Sequence, residues 1–267
     1  MNELILVREL SYSGRLGAPL KPLSFSIEQG GIHGILSPTG VEASTLLAIL
    51  AGALSPSGGS FTVGSSDETS KGNRWKRKVG YVPKFPELYR DMTVYELLDF
   101  VGEARGCASE LRLRQIEEAL DLVRLSDPEG RLFERLTAVQ KKKVSLAAAL
   151  LGNPSILLID EPIPASANAA DRREIAELLR MLGKIKTVVL AGASLSMMRD
   201  FCEEIVLLSG GELLAKGRFA ELEENLARSG EKTTLDELYA SLVAMAQTSD
   251  LEKKSILFAQ SEKEGKK

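Results

Sequence analysis

The chain has few of the residues that build metal frameworks, disulfide scaffolds or membrane spans. Its 267 residues include one histidine, His33, and two cysteines, Cys107 and Cys202. Two distant cysteines without metal-ligand spacing argue against a zinc site and indicate free thiols in a reducing compartment. No apolar run reaches the roughly 20 residues that a transmembrane helix needs. The first residues also lack the basic and apolar blocks of a signal peptide.

An excess of charge of one sign is missing as well. The chain carries 34 basic and 37 acidic residues, which gives a formal net charge of −3. Proteins that bind nucleic acids usually show a basic excess, so no nucleic-acid partner is predicted. The hydrophobic content of 44% and the charged content of 27% are ordinary, and they predict a globular protein with a sizeable core.

Short strand-like runs recur along the chain, and helical patterns separate several of them. The predicted strands are Leu4–Val7, Ser24–Ile27, Ile32–Leu36, Phe61–Val63, Val79–Val82, Ile156–Ile159, Thr187–Leu190, Ile205–Leu208 and Leu213–Ala215. The predicted helices are Ser44–Leu50, Val94–Ala104, Leu111–Leu125, Val139–Leu151 and Asp171–Leu182, with a further helical region after Gly217 in which Leu235–Tyr239 opens a last helix. This order predicts an α/β fold with a mixed sheet, packed helices and a helical block inserted at 94–125.

An apolar run ending in two acids lies at residues 156–161. It predicts a buried parallel strand that carries Asp160 and Glu161 to the carboxyl edge of the sheet, where such sheets bind ligands. In phosphate-handling proteins the first acid serves Mg²⁺, and the second can activate a water molecule. A core strand that ends in a polar loop explains the run equally well, so the surrounding residues decide.

A second strand–helix junction, at residues 35–47, has the context of a P-loop. That loop reads G-x-x-x-x-G-K-[ST], because glycines let backbone N–H groups close on the phosphates and lysine neutralises their charge. The three demanding positions hold Ser37, Glu42 and Ala43. The residues that match the wider pattern are Gly40, Ser44 and Thr45. Taken alone, the loop is more simply an ordinary strand–helix turn.

Further segments follow in a fixed order. Residues 79–84 lead to Lys84, residues 88–98 open the helical block, residues 136–142 lead into a helix, and residues 146–162 end in the two acids. Their order and spacing, from about residue 3 to 245, resemble the nucleotide-binding subunit of an ABC transporter. The resemblance implies a P-loop NTPase-type mixed sheet core flanked by helices, with an antiparallel β part and an inserted helical subdomain.

The resemblance also implies domains, cofactors and partners. It divides the chain into an N-terminal β part with the P-loop half (1–90), a helical signature subdomain (91–150), the other half of the core (151–220), C-terminal helices (221–249) and a charged flexible tail (250–267). ATP and Mg²⁺ are the implied cofactors. The implied partners are a membrane-spanning permease, docked on residues 83–91 and the helical block, and a second ATP-binding cassette. The chain would then lie at the cytoplasmic face of the membrane.

Residue roles follow only where the positions match. The implied nucleotide-binding residues are Tyr12, which would stack on adenine, Gly40, Ser44 and Thr45. The implied Mg²⁺ ligands are Ser44 and Asp160, and Glu161 would be the general base. The positions that depart from the family pattern are Ser37, Glu42 and Ala43 in the P-loop, Lys84 for the Q-loop glutamine, Ala138 and Val139 for the signature glycines, and Ala193 for the switch histidine.

These departures predict weak or lost nucleotide binding. Glu42 and Ala43 together lower the local charge by two where a polyanion would bind. One unit charge at about 4 Å, at an effective dielectric constant near 20, is worth roughly 4 kcal/mol. Even half of that weakens binding more than tenfold. The predicted function is a hydrolysis-deficient cassette in a membrane export complex, more often paired with a different cassette than with itself. A slow but genuine ATPase that retains Glu161 and a binding module outside transport are the alternatives.

Four further interpretations concern single segments. Lys84 is predicted to reach Glu42 or Asp160 and to stand in for the missing metal, with a solvated Lys84 as an equal alternative. The basic run 141–143 predicts a solvated helix face. Gly210 and Gly211 predict a hairpin turn rather than a displaced signature. His33 is predicted to be a packed or rim histidine rather than the switch histidine.

Overall fold

The computed structural model describes residues 3–64, 73–86, 91–125, 130–228 and 234–247. The predicted tail from residue 250 and part of the predicted docking segment, residues 87–90, lie outside these ranges. The strands are β1 Glu3–Tyr12, β2 Leu20–Glu28, β3 Ile32–Leu36, β4 Gly58–Val63, β5 Val79–Val82, β6 Ile156–Asp160, β7 Thr187–Gly192, β8 Glu204–Ser209 and β9 Glu212–Arg218. The helices are α1 Val41–Leu50, α2 Val94–Ala104, α3 Ser109–Leu122, α4 Ala138–Leu150, α5 Ala169–Ile185, α6 Leu195–Phe201, α7 Phe219–Arg228 and α8 over 235–247.

Two sheets form the core. A six-stranded sheet has the order β5-β6-β7-β3-β8-β9, in which β9 alone runs antiparallel to its neighbour. A three-stranded antiparallel sheet has the order β2-β1-β4. The predicted mixed sheet with an antiparallel β part is therefore confirmed.

The large sheet is buried on both faces, as parallel strands require. Every residue of β3, β6 and β7 is buried. On one face the strands pack with α1 and the small sheet, and on the other with α2, α3, α4 and α5. Since parallel strands end together, the loops after β3, β6 and β7 meet at one edge.

Local signals set where several helices begin. Thr93 with Glu96, Thr137 with Gln140, and Asn168 with Asp171 form capping boxes at the starts of α2, α4 and α5. The seven-residue α6 is not among the predicted helices, because a helix this short shows little periodicity. Within the described ranges, no helix combines the length and the apolar character needed to cross a membrane.

The turn between β8 and β9 is the predicted hairpin. Gly210 and Gly211 have φ values of 61° and 79°, the positive values that a two-residue hairpin turn with the twist of its strands requires. His33 is a packed histidine as predicted, with 7% of its surface exposed. The free thiols of Cys107 and Cys202 are both buried.

Candidate functional site at the carboxyl edge of the sheet

The loop between β3 and α1 contains the P-loop positions of the sequence. Gly40, with φ of 76°, is the N-cap of α1 and offers no side chain to cap the helix. The Ser37 hydroxyl accepts a hydrogen bond from the Ala43 N–H at 3.2 Å, and the Ser37 carbonyl accepts one from the Gly40 N–H at 3.0 Å. The Thr39 hydroxyl accepts from the Val41 N–H at 3.3 Å. The loop thus supplies its own oxygens to N–H groups that a phosphate would use.

Thr45, predicted to bind nucleotide, is buried and engaged within the chain. Its hydroxyl accepts a hydrogen bond from the Ala18 N–H at 2.9 Å and donates one to the Val41 carbonyl at 2.8 Å. A Cβ added to Gly17 would lie 2.5 Å from this hydroxyl, which shows how closely the β1–β2 loop approaches α1. The hydroxyl has already made its one donation, and only one acceptor site remains to it.

Tyr12 is not the exposed stacking platform that the sequence predicts. It is 6% exposed, and its ring packs in the core with Leu10 and Leu20. The backbone at Gly14 lies against the ring, since a Cβ added there would sit 2.5 Å from the Tyr12 Cζ. The hydroxyl donates to the Leu16 carbonyl at 2.9 Å. The buried ring offers little surface for an adenine in this structure, and stacking by Tyr12 stays a prediction.

The two residues predicted to hold Mg²⁺ do come together. The Ser44 hydroxyl donates to Asp160 Oδ1 at 2.8 Å, across 116 residues of sequence. Asp160 ends β6 and is 3% exposed. Burial raises the pKa of its carboxyl group, while the Ser44 hydrogen bond and the nearby lysines lower it.

Lys84 contacts Glu161, which corrects the predicted pairing with Glu42 or Asp160. The Lys84 Nζ lies 2.6 Å from Glu161 Oε1, and the two side chains are about one third exposed. Glu161 has φ of 42°, a left-handed conformation that is unfavourable for a residue with a Cβ. Its N–H donates to the Ala191 carbonyl of β7 at 2.9 Å, which holds this conformation in place. The carboxylate predicted to act as base is thus held in an ion pair.

Glu42 turns towards the hairpin. Its Oε1 accepts a hydrogen bond from the Gly211 N–H at 2.7 Å. Burial raises the pKa of the Glu42 carboxyl, and the bond to Gly211 opposes this shift. The acid in place of the P-loop glycine therefore joins α1 to the β8–β9 turn, and it is not the partner of Lys84.

Lys142 lies in the interior, so the prediction of a solvated basic face at 141–143 is wrong. Lys142 is 5% and Lys143 is 8% exposed. The Lys142 ammonium donates to three backbone carbonyls, at 2.8 Å to Pro83, 3.2 Å to Lys84 and 2.8 Å to Asp160. Burial lowers its pKa to about 8, although Asp160 and Glu161 oppose the shift.

Two ammonium groups therefore face two carboxylates at the end of β6. Lys84 pairs directly with Glu161, and Lys142 lies close enough to lower the pKa of Asp160. With all four groups ionised the formal charges cancel. A bound divalent cation normally supplies this compensation in a carboxylate site. Within the described ranges no group of three or more histidine, cysteine or acidic side chains is arranged to hold a metal ion.

The residues at the signature position open α4. Ala138 is exposed and Val139 is buried, and Ala138 lies on a cleft of about 870 Å³. The same cleft is lined by Lys84, Phe85, Pro86, Phe133, Glu134, Lys141, Lys142, Glu161, Pro164, Ala165 and Ser166. The cleft thus joins the Q-loop position, the signature position and the loop after β6.

Ala193, at the switch position, is contacted by the C-terminal helix. The Tyr239 hydroxyl of α8 lies 2.8 Å from the Ala193 carbonyl and 3.0 Å from the Ser37 carbonyl. Nothing in the sequence around Tyr239 predicted this contact, which spans 202 residues to Ser37. Lys142 was missed for the same reason. The sequence does show a tyrosine on the apolar face of a helix and a lysine within an apolar helix, and both patterns suggest burial. Neither pattern indicates which groups the buried side chain would bond.

Comparison with known proteins extends these observations. A profile of the family described as "ABC transporter" matches residues 20–164. The "Probable multidrug ABC transporter ATP-binding protein YbhF" of Escherichia coli (strain K12) is 30% identical over 230 residues, which are 85% of this chain and 40% of that protein. This chain thus spans well under half of that relative. The "Uncharacterized ABC transporter ATP-binding protein YxlF" of Bacillus subtilis (strain 168) is 28% identical over 221 residues, with 83% of this chain and 73% of that protein covered.

Solved structures show the same fold. A structure described as "ATP binding subunit of ABC transporter" aligns with a TM-score of 0.76 at 23% identity, covering 90% of this chain and 99% of that one. A dimeric cassette in a post-hydrolysis state with bound ADP and Pi aligns with a TM-score of 0.71 at 22% identity, covering 80% and 98%. The predicted cassette fold is thereby confirmed.

Proposed function

Since this chain belongs to the ABC transporter family and has the fold of its ATP-binding cassettes, we propose that it is a hydrolysis-deficient cassette with a structural or regulatory role. Domains of this family generally bind ATP and Mg²⁺. The observation that carries the proposal is the internal bonding of the β3–α1 loop. Ser37 and Thr39 oxygens occupy N–H groups that a phosphate would need, and no lysine follows Glu42 in the loop.

The catalytic half of the site supports the same proposal. A working site needs a carboxylate free to act on a water molecule and a cation that balances the phosphates. Here Glu161 is paired with Lys84, and Ala193 offers no side-chain donor. Ser44 and Asp160 retain the chemistry of Mg²⁺ ligands, yet without the phosphates they offer only part of an octahedral shell. ATP with Mg²⁺ in the usual pose does not fit these residues.

The partners follow from the same proposal. A chain whose P-loop and signature positions are both altered would leave both sites of a homodimer without an intact half, whereas an intact partner cassette would contribute one intact half to each impaired site. We therefore favour pairing with a second, intact cassette on a membrane-spanning permease, at the cytoplasmic face of the membrane. The proposed docking face for the permease is residues 83–91 with the helical block, and the proposed domain partition is the one given by the resemblance.

Nucleotide binding and turnover by repaired variants test the proposal. Fluorescent ATP is titrated into the native chain and into Glu42→Gly/Ala43→Lys, each with and without Mg²⁺. We expect at least tenfold tighter binding by the double variant, because the local charge rises by two. We expect no hydrolysis by this double variant unless Lys84→Gln and Ala193→His are added to it.

The second candidate function, a slow ATPase, is favoured by the Ser44–Asp160 contact and by the position of Glu161 at the end of β6. The same assays separate it from the first. Phosphate release by the native chain that disappears in Glu161→Gln would establish the slow ATPase and exclude a hydrolysis-deficient subunit. The matched control is Glu134→Gln, an exposed acid on the same cleft.

A further inference from the structure

The carboxyl edge of the sheet contains two loops that are far apart in sequence. The loop after β3 begins at Ser37, and the loop after β7 begins at Ala193. Ligands of open α/β sheets lie at such an edge and contact loops from neighbouring strands at the same time. In this chain a side chain of the protein itself makes such a connection.

Tyr239 makes that connection from the C-terminal helix. Its hydroxyl lies within hydrogen-bonding distance of the Ser37 and Ala193 carbonyls, so one proton is shared between two acceptors. The residue is 6% exposed, and burial raises the pKa of the hydroxyl. The group therefore remains a donor at all ordinary pH values.

The helix that carries Tyr239 is itself fixed. Arg199 of α6 binds Glu223 of α7 at 2.7 Å and Asp236 of α8 at 2.9 Å. The Arg199 guanidinium also stacks on the Phe219 ring, 4.9 Å from its centroid. Leu235 is buried in the same core cluster as Tyr239. These contacts hold α8 at the distance that Tyr239 requires.

We infer that Tyr239 is a positioning residue of the site and that α8 is a structural part of it. Tyr239 fixes the Ser37 carbonyl, and Ser37 in turn bonds the N–H groups of Gly40 and Ala43 at the start of α1. The C-terminal helix thereby sets the shape of the β3–α1 loop. In this role α8 connects the two loops that a bound ligand would otherwise connect, which goes beyond the proposed function. Only the description of the site as hydrolysis-deficient rests on that proposal.

Amide hydrogen exchange on the full chain without nucleotide tests the inference independently of any ATPase activity. The variant Tyr239→Phe keeps the ring and removes the hydroxyl. We expect exchange at Gly40 and Ala43 to accelerate about five- to tenfold, as local opening follows the loss of a buried hydrogen bond. Exchange in β1 and β2, whose buried side chains belong to a different core cluster from Tyr239, should remain unchanged.

Two further variants make the test specific. Ser241→Ala removes another α8 hydroxyl, which bonds only within the helix to the Glu237 carbonyl at 3.0 Å, and it should leave all these rates unchanged. Arg199→Gln loosens α8 and should accelerate the same amides as Tyr239→Phe. Unchanged exchange at Gly40 and Ala43 in Tyr239→Phe, or acceleration spread equally over the whole chain, would overturn the inference. Neither result would alter the nucleotide assays of the proposed function.

Discussion

Around Asp160, the charge of one buried side chain is balanced by hydrogen bonds and charges of its neighbours. Lys142 shows this most clearly, because its ammonium lies in the interior and is satisfied by three carbonyls at the ends of β5 and β6. A buried cation without such partners would be strongly destabilising. The three carbonyls would in turn lose a hydrogen-bond donor if the ammonium were removed.

The variant Lys142→Met tests this dependence. It keeps the length of the side chain and removes the charge and the three hydrogen bonds. We expect the free energy of unfolding to fall by about 2–4 kcal/mol, since buried acceptors lose their donor and Asp160 loses a neighbouring cation. Urea unfolding followed by circular dichroism measures the change. The control is Lys141→Met, a partly exposed neighbour on the same helix, which should cost less than about 1 kcal/mol. Equal losses in both variants would contradict this account.

Lys142 also predicts a pH dependence. Its pKa in the folded chain, about 8, lies below the value of 10.5 for an unperturbed lysine. Between these values the unfolded chain binds the additional proton, so the free energy of unfolding rises with pH. We expect the stability of the native chain relative to Lys142→Met to increase by roughly 1–3 kcal/mol from pH 8 to pH 10. Unfolding curves at pH 7, 8, 9 and 10 measure it. A difference that stays constant or falls over this range would show that the pKa is not lowered.

At this scale the sequence indicates which residues belong to the site better than it indicates which of them are in contact. The resemblance implied Ser44 and Asp160 as ligands of one Mg²⁺ ion, and the two side chains do meet. Lys84 was expected at Glu42 or Asp160 and binds Glu161. Tyr12 lies two residues after the buried Leu10 and thus on the same side of β1, a period that predicts its burial. A contact between residues 202 positions apart, such as that of Tyr239 with Ser37, has no comparable local signal.

At the scale of elements, α1 depends on a cap from outside the helix. Gly40 cannot cap it, and the Ser37 hydroxyl bonds the Ala43 N–H in its place. The sequence predicted this helix three residues too short, from Ser44 rather than Val41, because the acid and the small residues at its start show no apolar period. By contrast, β3, β5 and α2 were predicted with the observed bounds, because apolar runs and a capping box mark their ends.

The variant Ser37→Ala measures the contribution of the cap. Its side chain is fully buried, so no water can replace the hydroxyl. We expect a loss of about 1–2 kcal/mol in the free energy of unfolding, the usual cost of removing a helix cap. Thr39→Ala is the control, because Thr39 is exposed and water can replace its bond to Val41, and it should cost under about 0.5 kcal/mol. If Ser37→Ala is as stable as the native chain, the cap does not stabilise α1.

At the scale of the whole molecule, the chain has the fold of a cassette, and the residues of its candidate site form hydrogen bonds and ion pairs with one another. The order of strands and helices was predictable, because apolar periodicity survives changes in the loops between elements. The state of the site was predictable only in part. The charges of residues 42 and 43 are visible in the sequence, whereas the hydrogen bonds that Thr45 and Ser37 make within the chain appear only in the assembled fold.

Sedimentation velocity tests a consequence for assembly. Cassettes that need ATP between two chains should sediment faster when MgATP is added. We expect the native chain to keep the same sedimentation coefficient with and without MgATP, because the loop carries the Glu42 carboxylate and no lysine where the phosphates would bind. The variant Glu42→Gly/Ala43→Lys is the comparison, in which nucleotide can bind but the signature remains altered. A dimer of the native chain that forms only with MgATP would contradict both the proposed pairing and the proposed loss of nucleotide binding.

The bond from Ser37 to Ala43 also has a consequence for engineering. Changing Ser37 alone to glycine would remove the cap of α1 and would leave Glu42 and Ala43 in place. Such a variant should lose stability without gaining the positive charge that a phosphate needs. A protein engineer who wants a nucleotide site in this loop would therefore change Glu42 and Ala43 first and Ser37 last.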